Sequence, residues 1–502
     1  MKNGNLLLTQ LVTLMLSKSQ YIRGLQCHKS LWLYKNKPEL RSEPKQEAQV
    51  LFNIGDTVGE YAKDLFPGGV EIEFNPKDFN GMMDKTNEAI SQGVDTIYEA
   101  TFKEGGVFAM ADILHKTSEG WDMYEVKAST GVKPTHINDT SIQWFTLSQA
   151  ISLNKAYIVH INNQYVRDGD VDIESLFTIE DITEEVLVKQ DGIPSLLESM
   201  ESMINGEIPD IGIGSHCSVP YECDFYEHCW LHVPEVSIFN LYRMGSSKKF
   251  ELYGQGILTY EDIPKEFSLN AMQQKQVHAA LTGEITLNKN IVHEFLDSIL
   301  YPISFFDFET FQNPIPRFNG QRPYMQMPFQ YSLHIVDERG VSSHHEFLGD
   351  HNTDPRRDLC KQMLRNIPKS GSIIAYNQSF EISRIREMAE QFEEFRDELL
   401  ALIDRFVDLI IPFRNGGYYH PDFNGSFSIK SVLPALFPDD PELSYKSLNI
   451  QDGGMAMDTF ANLHLLEDES LIPQIREDLL AYCKLDTLAM MRIWEKLQQI
   501  IE

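Results

Sequence analysis

The sequence predicts an α/β protein with two main globular domains. Its 502 residues are enough for two or three domains, each with a hydrophobic core of its own. Hydrophobic residues make up 42% of the chain and charged residues 23%, which is typical of a soluble globular protein. In the second half, apolar strand patterns bounded by proline alternate with long charged helical patterns such as Phe380 to Asp404, and this alternation indicates an α/β fold.

Four segments can be distinguished along the chain. The apolar run from Leu6 to Leu16 is interrupted by Thr and Gln and is too short to cross a bilayer, so residues 1–15 are predicted to form an N-terminal extension. Residues 16–233 form the first predicted domain, 234–300 a helical linker, and 301–502 the second domain. Since the sequence has no convincing secretory signal, we expect a cytoplasmic protein without a membrane partner.

Charge and cysteine content narrow the classes of function. The net charge of -31, from 43 Lys and Arg against 74 Asp and Glu, argues against broad adhesion to nucleic acid or anionic membranes. A local basic channel remains compatible with this charge. Six cysteines in a chain without a secretory signal favour metal ligation over a disulfide framework.

The first candidate site lies in a predicted β-hairpin. Two apolar segments, 107–115 and 121–128, flank the turn sequence KTSEG. Asp112 lies on the first strand, and Glu125 and Lys127, two residues apart, share one face of the second. Two carboxylates and an ammonium on one face suit a divalent cation whose bound water attacks a phosphodiester. The sequence EVK also occurs on solvent-exposed strands without any site, so the surrounding sequence has to show whether this hairpin carries a metal site.

That surrounding sequence supplies Glu99 upstream and Gln143 on a predicted helix downstream. The order of Asp, Glu-x-Lys and helical Gln resembles the RecB-like branch of the PD-(D/E)xK nuclease superfamily. The resemblance implies a restriction-endonuclease-like domain in which Asp112 and Glu125 bind metal and Lys127 is catalytic. Gln143 would contact substrate or metal, and Glu99 is a further candidate metal ligand.

Two features depart from that family pattern. RecB-like nucleases usually carry a histidine on an early helix, which the segment 54–69 lacks, so Asp56 or Glu60 is a candidate replacement. The aromatic residue that usually follows the Gln by one helical turn is Leu147 here.

Three downstream cysteines, Cys217, Cys223 and Cys229, are separated by five residues each and make an incomplete tetrahedral set. A subset of RecB-like nucleases places one cysteine before the nuclease core and three after it, and the four bind a [4Fe-4S] cluster. Cys27 is the single upstream cysteine, so the resemblance implies a four-cysteine clasp for an iron-sulfur cluster.

Zinc is the alternative metal for this clasp. Four cysteines suit zinc, and a histidine can replace a thiolate, with His28, His216 and His228 nearby in sequence. Structural zinc sites usually bring ligands in pairs two to four residues apart, and no such cysteine pair occurs in the sequence, which favours iron-sulfur.

A second candidate site comes from three separate segments. The apolar strand ISFFDFETFQ places Asp307 and Glu309 on one face, a second predicted strand leads into a helix carrying Glu381, and a C-terminal helix aligns Tyr482 with Asp486. This order resembles the DnaQ-like 3'-5' exonucleases of the DEDDy type, which have an RNase H fold. The resemblance implies that the four acidic residues hold two ions of Mg²⁺ or Mn²⁺ and that the tyrosine positions the attacking water.

Position 381 departs from the second pattern, because the family normally has Asp there and Glu is one methylene longer. Asp408 is another acid that could line this site. In the linker, Gly245, Lys248 and Lys249 faintly resemble the phosphate-binding turn of a helix-hairpin-helix, although a plain helical linker fits the same residues.

The combined pattern resembles a bacterial family that fuses an iron-sulfur RecB-like nuclease to a DnaQ-like exonuclease. It implies a metal-dependent nuclease with two active sites that cleaves nucleic acid, DNA rather than RNA, in DNA repair or in defence against foreign DNA. The other class of function that stays open is a non-catalytic protein that recognises nucleic-acid ends or has a regulatory role, built on decayed nuclease folds.

Overall fold

Two α/β units make up the chain in the computed structural model, which describes residues 15–43 and 46–502, with the backbone alone for 46–52. The first unit is Met1–His232 and the second is Val233–Glu502. The predicted α/β class is therefore confirmed. Apart from Met15, the predicted N-terminal extension lies outside the described residues.

The first unit contains seven strands and nine helices among its described residues. In chain order these are β1 (Leu16–Ser17), α1 (Lys18–Gln26), α2 (His28–Asn36), α3 (Gln46–Lys63), β2 (Val70–Glu71), α4 (Phe79–Ser91), β3 (Thr96–Glu104), β4 (Val107–Lys116), β5 (Trp121–Lys127), α5 (Pro134–Leu147), β6 (Leu153–Ile161), α6 (Ile173–Leu176), β7 (Phe177–Asp181), α7 (Thr183–Gln190), α8 (Ile193–Ile204) and α9 (Tyr226–Trp230).

The predicted hairpin lies at the centre of the first unit's sheet. β4 pairs antiparallel with β5, as the turn sequence predicts, and also with β3. Helix α5 then crosses over so that β6 runs parallel to β5, which is the connection that parallel neighbours require. The sheet order is β2-β3-β4-β5-β6-β7, and β1 pairs with the start of β4.

The second unit has elements of both kinds in the order α10 (Ser246–Gly254), α11 (Ala271–Thr282), β8 (Thr286–Leu287), α12 (Lys289–Asp297), β9 (Ile303–Phe311), β10 (Met327–Val336), β11 (Ser342–Leu348), α13 (Arg356–Asn366), β12 (Ile373–Ala375), α14 (Ser379–Gln391), α15 (Arg396–Ile403), β13 (Phe406–Asp408), α16 (Ile411–Arg414), β14 (Tyr418–Tyr419), α17 (Ile429–Leu436), α18 (Gly453–Asn462) and α19 (Ile472–Ile501).

Strand β9 is the central strand of the second unit's main sheet, whose order is β11-β10-β9-β12-β13. β9 is antiparallel to β10 and parallel to β12. Its side chains are buried on both faces apart from the half-buried Asp307, which explains its continuous apolar sequence. The long helix α19 packs on β9 and β10 with an apolar face that includes Leu479, Leu485 and Met490.

The segment 234–300 packs into the second unit and is not a separate linker. Ala279, Val292 and Phe295 share one core with Ile303 of β9, which covers the apolar face of α12. The predicted helix-hairpin-helix is wrong in its second half, since residues 255–270 after α10 form turns instead of a helix. The Lys249 ammonium donates to the Phe239 carbonyl at 2.6 Å.

The single long helix predicted from 380 to 404 is divided in two. α14 ends at Gln391 and α15 begins at Arg396. Between them, Phe392 adopts an extended conformation, and Phe392 and Phe395 both pack against the core. Within residues 15–43 and 46–502, no helix combines the length and apolarity needed to cross a bilayer.

Candidate functional site

Three adjacent strands of the first unit bring acidic side chains together. Glu99 lies on β3 at the position opposite Asp112 of β4. Its φ of 56° is uncommon for a residue other than glycine. Asp112 accepts a hydrogen bond from the Val126 amide of β5 at 2.7 Å. Glu125 follows on β5 and is buried, with 1% of its surface exposed.

Glu125 is held by three donors. Lys127 donates to its Oε1 at 2.5 Å, which confirms that these two side chains share a face of β5. The Gln143 amide donates to its Oε2 at 2.6 Å, so the glutamine of α5 reaches the acidic strand. The third donor is Lys18, at the start of α1, whose ammonium lies 2.9 Å from Oε1.

Lys18, Asp139 and His136 belong to this centre and were missed from the sequence. Asp139 accepts from Lys127 at 2.6 Å and lies 3.4 Å from the Lys18 ammonium. His136 is buried one helical turn earlier on α5. The spacing of 136, 139 and 143 places all three residues of α5 on one face, so the helical periodicity could have found His136 and Asp139.

The carboxyls of this centre differ in their affinity for protons. Burial opposes the charge of Glu125, but the Lys127 and Lys18 ammoniums outweigh it and hold its pKa below the ordinary value. Burial and the neighbouring Glu125 raise the pKa of Asp112 to about 7. Burial, together with Asp112 and Glu125, raises the pKa of Glu99 to about 8. Four carboxyls therefore face two ammoniums, and Glu99 and Asp112 are the two that hold a proton most readily near neutral pH.

The residues predicted to replace the family's missing histidine are not buried with these carboxyls. Asp56 and Glu60 are both exposed on α3, and Glu60 pairs with Lys63 at 2.6 Å. His136, in contrast, is in electrostatic contact with Glu125. Burial is the main cause that lowers the pKa of His136 to about 4, and the charges of Lys127 and Lys133 lower it further.

The four predicted cysteine ligands line one small cavity of the first unit, although Cys27 is 190 residues from the nearest of the other three. The cavity is bounded by Cys27, Cys217, Cys223, Cys229, and by neighbours that include Lys29 and His216. Burial raises the pKa of Cys27 and of Cys229, and the other thiols of the set add to the effect. None of the four cysteines forms a disulfide bond.

Polar contacts hold the two ends of this unit together around the cysteine cavity. The Gln26 amide donates to the carbonyls of His216 and Tyr221, both at 2.7 Å. Arg23 pairs with Asp224 at 2.8 Å. These contacts bring the end of α1 to the segment that carries the three downstream cysteines.

The spacing of the four sulfurs is wider than one zinc ion needs. Four thiolates around zinc lie about 3.8 Å apart, given the Zn–S distance of about 2.3 Å and tetrahedral angles. Among the described residues, no three of these four sulfurs lie within 4.8 Å of one another, since the one group that meets this limit is Asp307, Glu309 and Cys483.

The second unit gathers the predicted acids from three elements. β9 supplies Asp307 and Glu309, the first turn of α14 supplies Glu381, and α19 supplies Tyr482 and Asp486. Glu309, Glu381 and Asp486 are each less than 9% exposed. Glu309, Glu381 and Asp486 each raise the pKa of Asp307, so all four predicted carboxyls lie within electrostatic reach.

Burial is the main cause of the high proton affinity in this centre. Burial and the charges of the neighbouring carboxyls hold the pKa of Asp307 and of Glu309 well above the ordinary values. Burial raises the pKa of Glu381 to about 8 and that of Asp486 to about 6. Lys430 on α17 is the cation that acts on Glu309 and Asp486, and its side chain is exposed.

Glu381 and Asp408 lie next to each other but have different surroundings. Asp408 at the end of β13 accepts from the Asn377 amide at 2.8 Å and from the Ile410 amide at 3.2 Å. Its carboxylate therefore has backbone donors within the unit. The Oε2 atom of Glu381 is buried and has no hydrogen-bond partner among the described residues.

Tyr445 and Cys483 also contact these acids and were missed from the sequence. The Tyr445 hydroxyl donates to Oδ1 of Asp486 at 2.6 Å. Cys483 lies on α19 next to Tyr482, and its thiol donates to the Asp307 carboxylate at 3.8 Å. Tyr445 lies in an irregular segment without a recognisable pattern, whereas Cys483 is three residues before Asp486 and shares its face of α19.

The chain is thus an α/β protein with two acidic centres and a cavity lined by cysteines. A family model described as a domain of unknown function, DUF2779, matches residues 304–428, which include Asp307, Glu309 and Glu381.

Two curated relatives are similar to a part of this chain. An uncharacterized MG366 homolog from Mycoplasma pneumoniae is 29% identical over 206 residues, which are 38% of this chain and 31% of the relative. The uncharacterized protein UU173 from Ureaplasma parvum serovar 3 is 28% identical over 221 residues, 39% of this chain and 31% of the relative. The match therefore spans about a third of each relative's length. No solved structure matches the chain.

Proposed function

We propose that this protein is a divalent-metal-dependent nuclease that hydrolyses phosphodiester bonds of nucleic acid, with one active centre in each unit. The observation that carries the proposal is the cluster of four carboxyls in the second unit, in which Glu309, Glu381 and Asp486 are buried and Asp307 is half-buried. Burying several carboxylates side by side is costly unless a cation compensates them. Mg²⁺ and Mn²⁺ prefer carboxylate oxygens as ligands.

Two such ions would serve hydrolysis in the second unit. In a two-metal site, one ion activates the attacking water and both stabilise the charge that develops on the phosphoryl group. Tyr482 lies four residues before Asp486 on the same face of α19, where its hydroxyl can orient that water. The resemblance to DnaQ-like enzymes adds the expectation of an RNase H fold and of 3'-5' exonuclease activity.

The first unit supports a second centre with a different arrangement. Burial and the neighbouring carboxylates raise the proton affinity of Glu99 and Asp112, and a divalent cation would replace their protons at that end of the cluster. Glu125 would complete the ligand set, and Lys127 beside it would stabilise or protonate a reacting oxygen. The order of these residues is that of the RecB-like PD-(D/E)xK nucleases.

Cys27, Cys217, Cys223 and Cys229 would hold a [4Fe-4S] cluster in the first unit. Their shared cavity supports a metal group, and the absence of a cysteine pair two to four residues apart in the sequence favours the cluster over zinc. A zinc site with four thiolates remains the alternative to be tested. The group would tie the two ends of the unit together, because its ligands come from both.

DNA is the proposed substrate, and DNA repair or defence against foreign DNA in the cytoplasm is the proposed setting. The net charge of -31 requires that the nucleic acid is held by local contacts and by the bound cations.

One observation favours a second candidate function, a non-catalytic protein that binds nucleic-acid ends. Glu125 already has Lys18, Lys127 and Gln143 as partners, so its carboxylate is satisfied without a metal ion. In that case the first unit would bind nucleic acid through a decayed centre. The second unit has the longer Glu381 where the DEDDy pattern has Asp.

A strand-resolved assay tests the proposal. End-labelled single-stranded DNA, duplex DNA and RNA are incubated with Mg²⁺ or Mn²⁺ and with wild type, Asp307→Asn, Lys127→Met or the double variant. We expect each single change to remove one cleavage pattern, with about a 100-fold loss or more, and the double variant to be inert.

Matched controls for this assay are Asp439→Asn and Lys85→Met, which change exposed side chains of the same type in the same units. Both controls should cleave like wild type. If wild type and the double variant are equally inert on all substrates, the nuclease proposal is wrong and the binding function is favoured.

A further inference from the structure

Cys483 brings a sulfur atom into the acidic centre of the second unit. Its side chain is fully buried, and Sγ lies 3.8 Å from Oδ2 of Asp307 and 3.9 Å from the Asp307 carbonyl oxygen. One ligand atom each from Asp307, Glu309 and Cys483 lie within 4.8 Å of one another. Within the described residues, this is the group of potential ligands that comes closest together.

The distance between sulfur and oxygen is close to that of a shared metal ion. A tetrahedral ion with a metal–sulfur distance of about 2.3 Å and a metal–oxygen distance of about 2.1 Å separates the two ligand atoms by about 3.6 Å. The observed 3.8 Å needs only a small adjustment of either side chain. Cys483 belongs to a helix packed on β9, so the backbone already sets this approach.

Glu381 provides an independent sign that the centre takes a cation. Its side chain is 3% exposed, and Oε2 has no hydrogen-bond partner among the described residues. Its charge acts on both Asp307 and Glu309, so its carboxylate lies within electrostatic reach of them. A buried carboxylate oxygen without a donor is costly, and a metal ion would supply the missing partner.

We propose that Cys483 is a thiolate ligand of the cation held by Asp307 and Glu309. The thiol releases its proton to solvent as the metal–sulfur bond forms, because thiolates and not thiols bind metal. No electrons are transferred in this step. The inference rests on the metal site of the proposed function and specifies the kind of ion that occupies it.

A thiolate changes the metal preference of the centre. Mg²⁺ is a hard ion that binds oxygen ligands in octahedral geometry, whereas sulfur favours borderline ions such as Zn²⁺, Co²⁺ and Fe²⁺. The position beside Asp307 would therefore hold a borderline ion. Glu381 and Asp486 offer only oxygen ligands, which suit Mg²⁺ or Mn²⁺.

Cobalt titration of the full chain under anaerobic conditions tests this assignment. Thiolate bound to Co²⁺ gives a charge-transfer absorption in the near ultraviolet, and the bound cobalt is counted by metal analysis. The proteins compared are wild type, Cys483→Ser, Asp307→Asn and the control Cys360→Ser, which changes a buried cysteine in the core below β10. The four cysteines of the first unit contribute equally to all of them.

The expected result is a weaker charge-transfer band in Cys483→Ser than in wild type, with Cys360→Ser unchanged. The affinity of Cys483→Ser for Co²⁺ should fall at least about tenfold, while its affinity for Mg²⁺ changes little. If Asp307→Asn loses one bound cobalt but Cys483→Ser keeps the full band, the inference is wrong and the proposed metal site stands. If Asp307→Asn binds as much cobalt as wild type, both the inference and the proposed metal site are wrong.

A measurement on wild type alone covers the case in which Cys483→Ser does not fold. Cadmium-113 resonance separates a site with four sulfurs from a site with one sulfur and several oxygens, because sulfur ligands move the signal strongly downfield. A signal of the mixed type supports the assignment. A spectrum with only all-sulfur and all-oxygen signals overturns it.

Discussion

Glu381→Gln should make the cation-free protein more stable at neutral pH. Burial raises the pKa of Glu381 from 4.5 to about 8, so the folded chain keeps this proton at pH 7 whereas the unfolded chain releases it. For a carboxyl whose pKa is raised on folding, stability is greatest below pH 4.5 and is lost as the pH rises towards 8. Glutamine has the same shape without the proton equilibrium.

The size of this effect follows from the interval between the two pKa values. At pH 7 the unfolded carboxyl is about 2.5 pH units above its pKa, and each unit is worth about 1.36 kcal/mol, which gives about 3 kcal/mol. Glutamine still buries a polar atom without a partner, which reduces the gain. We therefore expect the variant to be more stable than wild type by about 2 kcal/mol at pH 7 and less stable than wild type by about 0.5 kcal/mol at pH 4.5.

Hydrogen exchange read by mass spectrometry measures this difference for β9 and α14 separately from the first unit. The protein is kept in a chelator, and the exchange rates are corrected for the pH dependence of the chemistry. Glu390→Gln is the matched control, because it makes the same change at an exposed position of α14. A saturating divalent cation should make wild type more stable than the variant, since only wild type offers the ion the carboxylate of Glu381 as a ligand.

The reasoning would be refuted if Glu381→Gln gained the same stability at pH 4.5 as at pH 7, or if Glu390→Gln gained as much stability as Glu381→Gln. Either result would mean that the effect does not come from the proton held by the buried carboxyl.

Three further predictions concern other parts of the chain. Lys18→Met should destabilise the first unit by about 2 kcal/mol in hydrogen exchange of β5, because Glu125 loses one of its two ammonium partners; an unchanged rate would contradict this. Cys223→Ala should destabilise the first unit and leave cleavage that depends on Asp307 intact, whereas loss of both activities would count against separate units. Burial lowers the pKa of His334 to about 4, so stability from the neutral ring is lost as pH falls from 6.5 towards 4, and His334→Gln should show a shallower acid-unfolding curve.

Local periodicity was sufficient to predict the parts of each site that lie within one element. The hairpin of β4 and β5 is present, and Glu125 and Lys127 share a face of β5, because alternation along a strand depends on neighbouring residues only. Gln143 reaches Glu125 from the predicted helix. The same helical spacing would also have identified Asp139, four residues earlier.

Lys18 could not be predicted, because its position depends on a distant pairing. Leu16 pairs with Val107 at the start of β4, and this short parallel contact places the first turn of α1 beside Glu125. The partners are about ninety residues apart, and two strand residues give too weak a pattern to predict their pairing. Sequence motifs therefore identified three of the four acids of the centre and one of its two ammoniums.

The second unit shows a similar division. Asp307, Glu309, Glu381 and Asp486 follow from motif order, because each lies at a fixed place in a strand or helix. Tyr445 contacts Asp486 from an irregular segment, so its side chain is placed by tertiary packing and not by a repeating pattern. The segment 234–300 was predicted to be a linker, because the apolar face of α12 can be read from the sequence but the core that it joins cannot.

Helix α1 has Lys18 at one end and Cys27 immediately after the other. An inserted or deleted residue within these nine positions would rotate the two ends by about 100° relative to each other and change their separation by about 1.5 Å. Lys18 would then turn away from Glu125, or Cys27 would turn away from the other three cysteines. This segment should therefore tolerate substitutions but not changes of length. Insertion and deletion scanning of residues 18–26 can measure this difference.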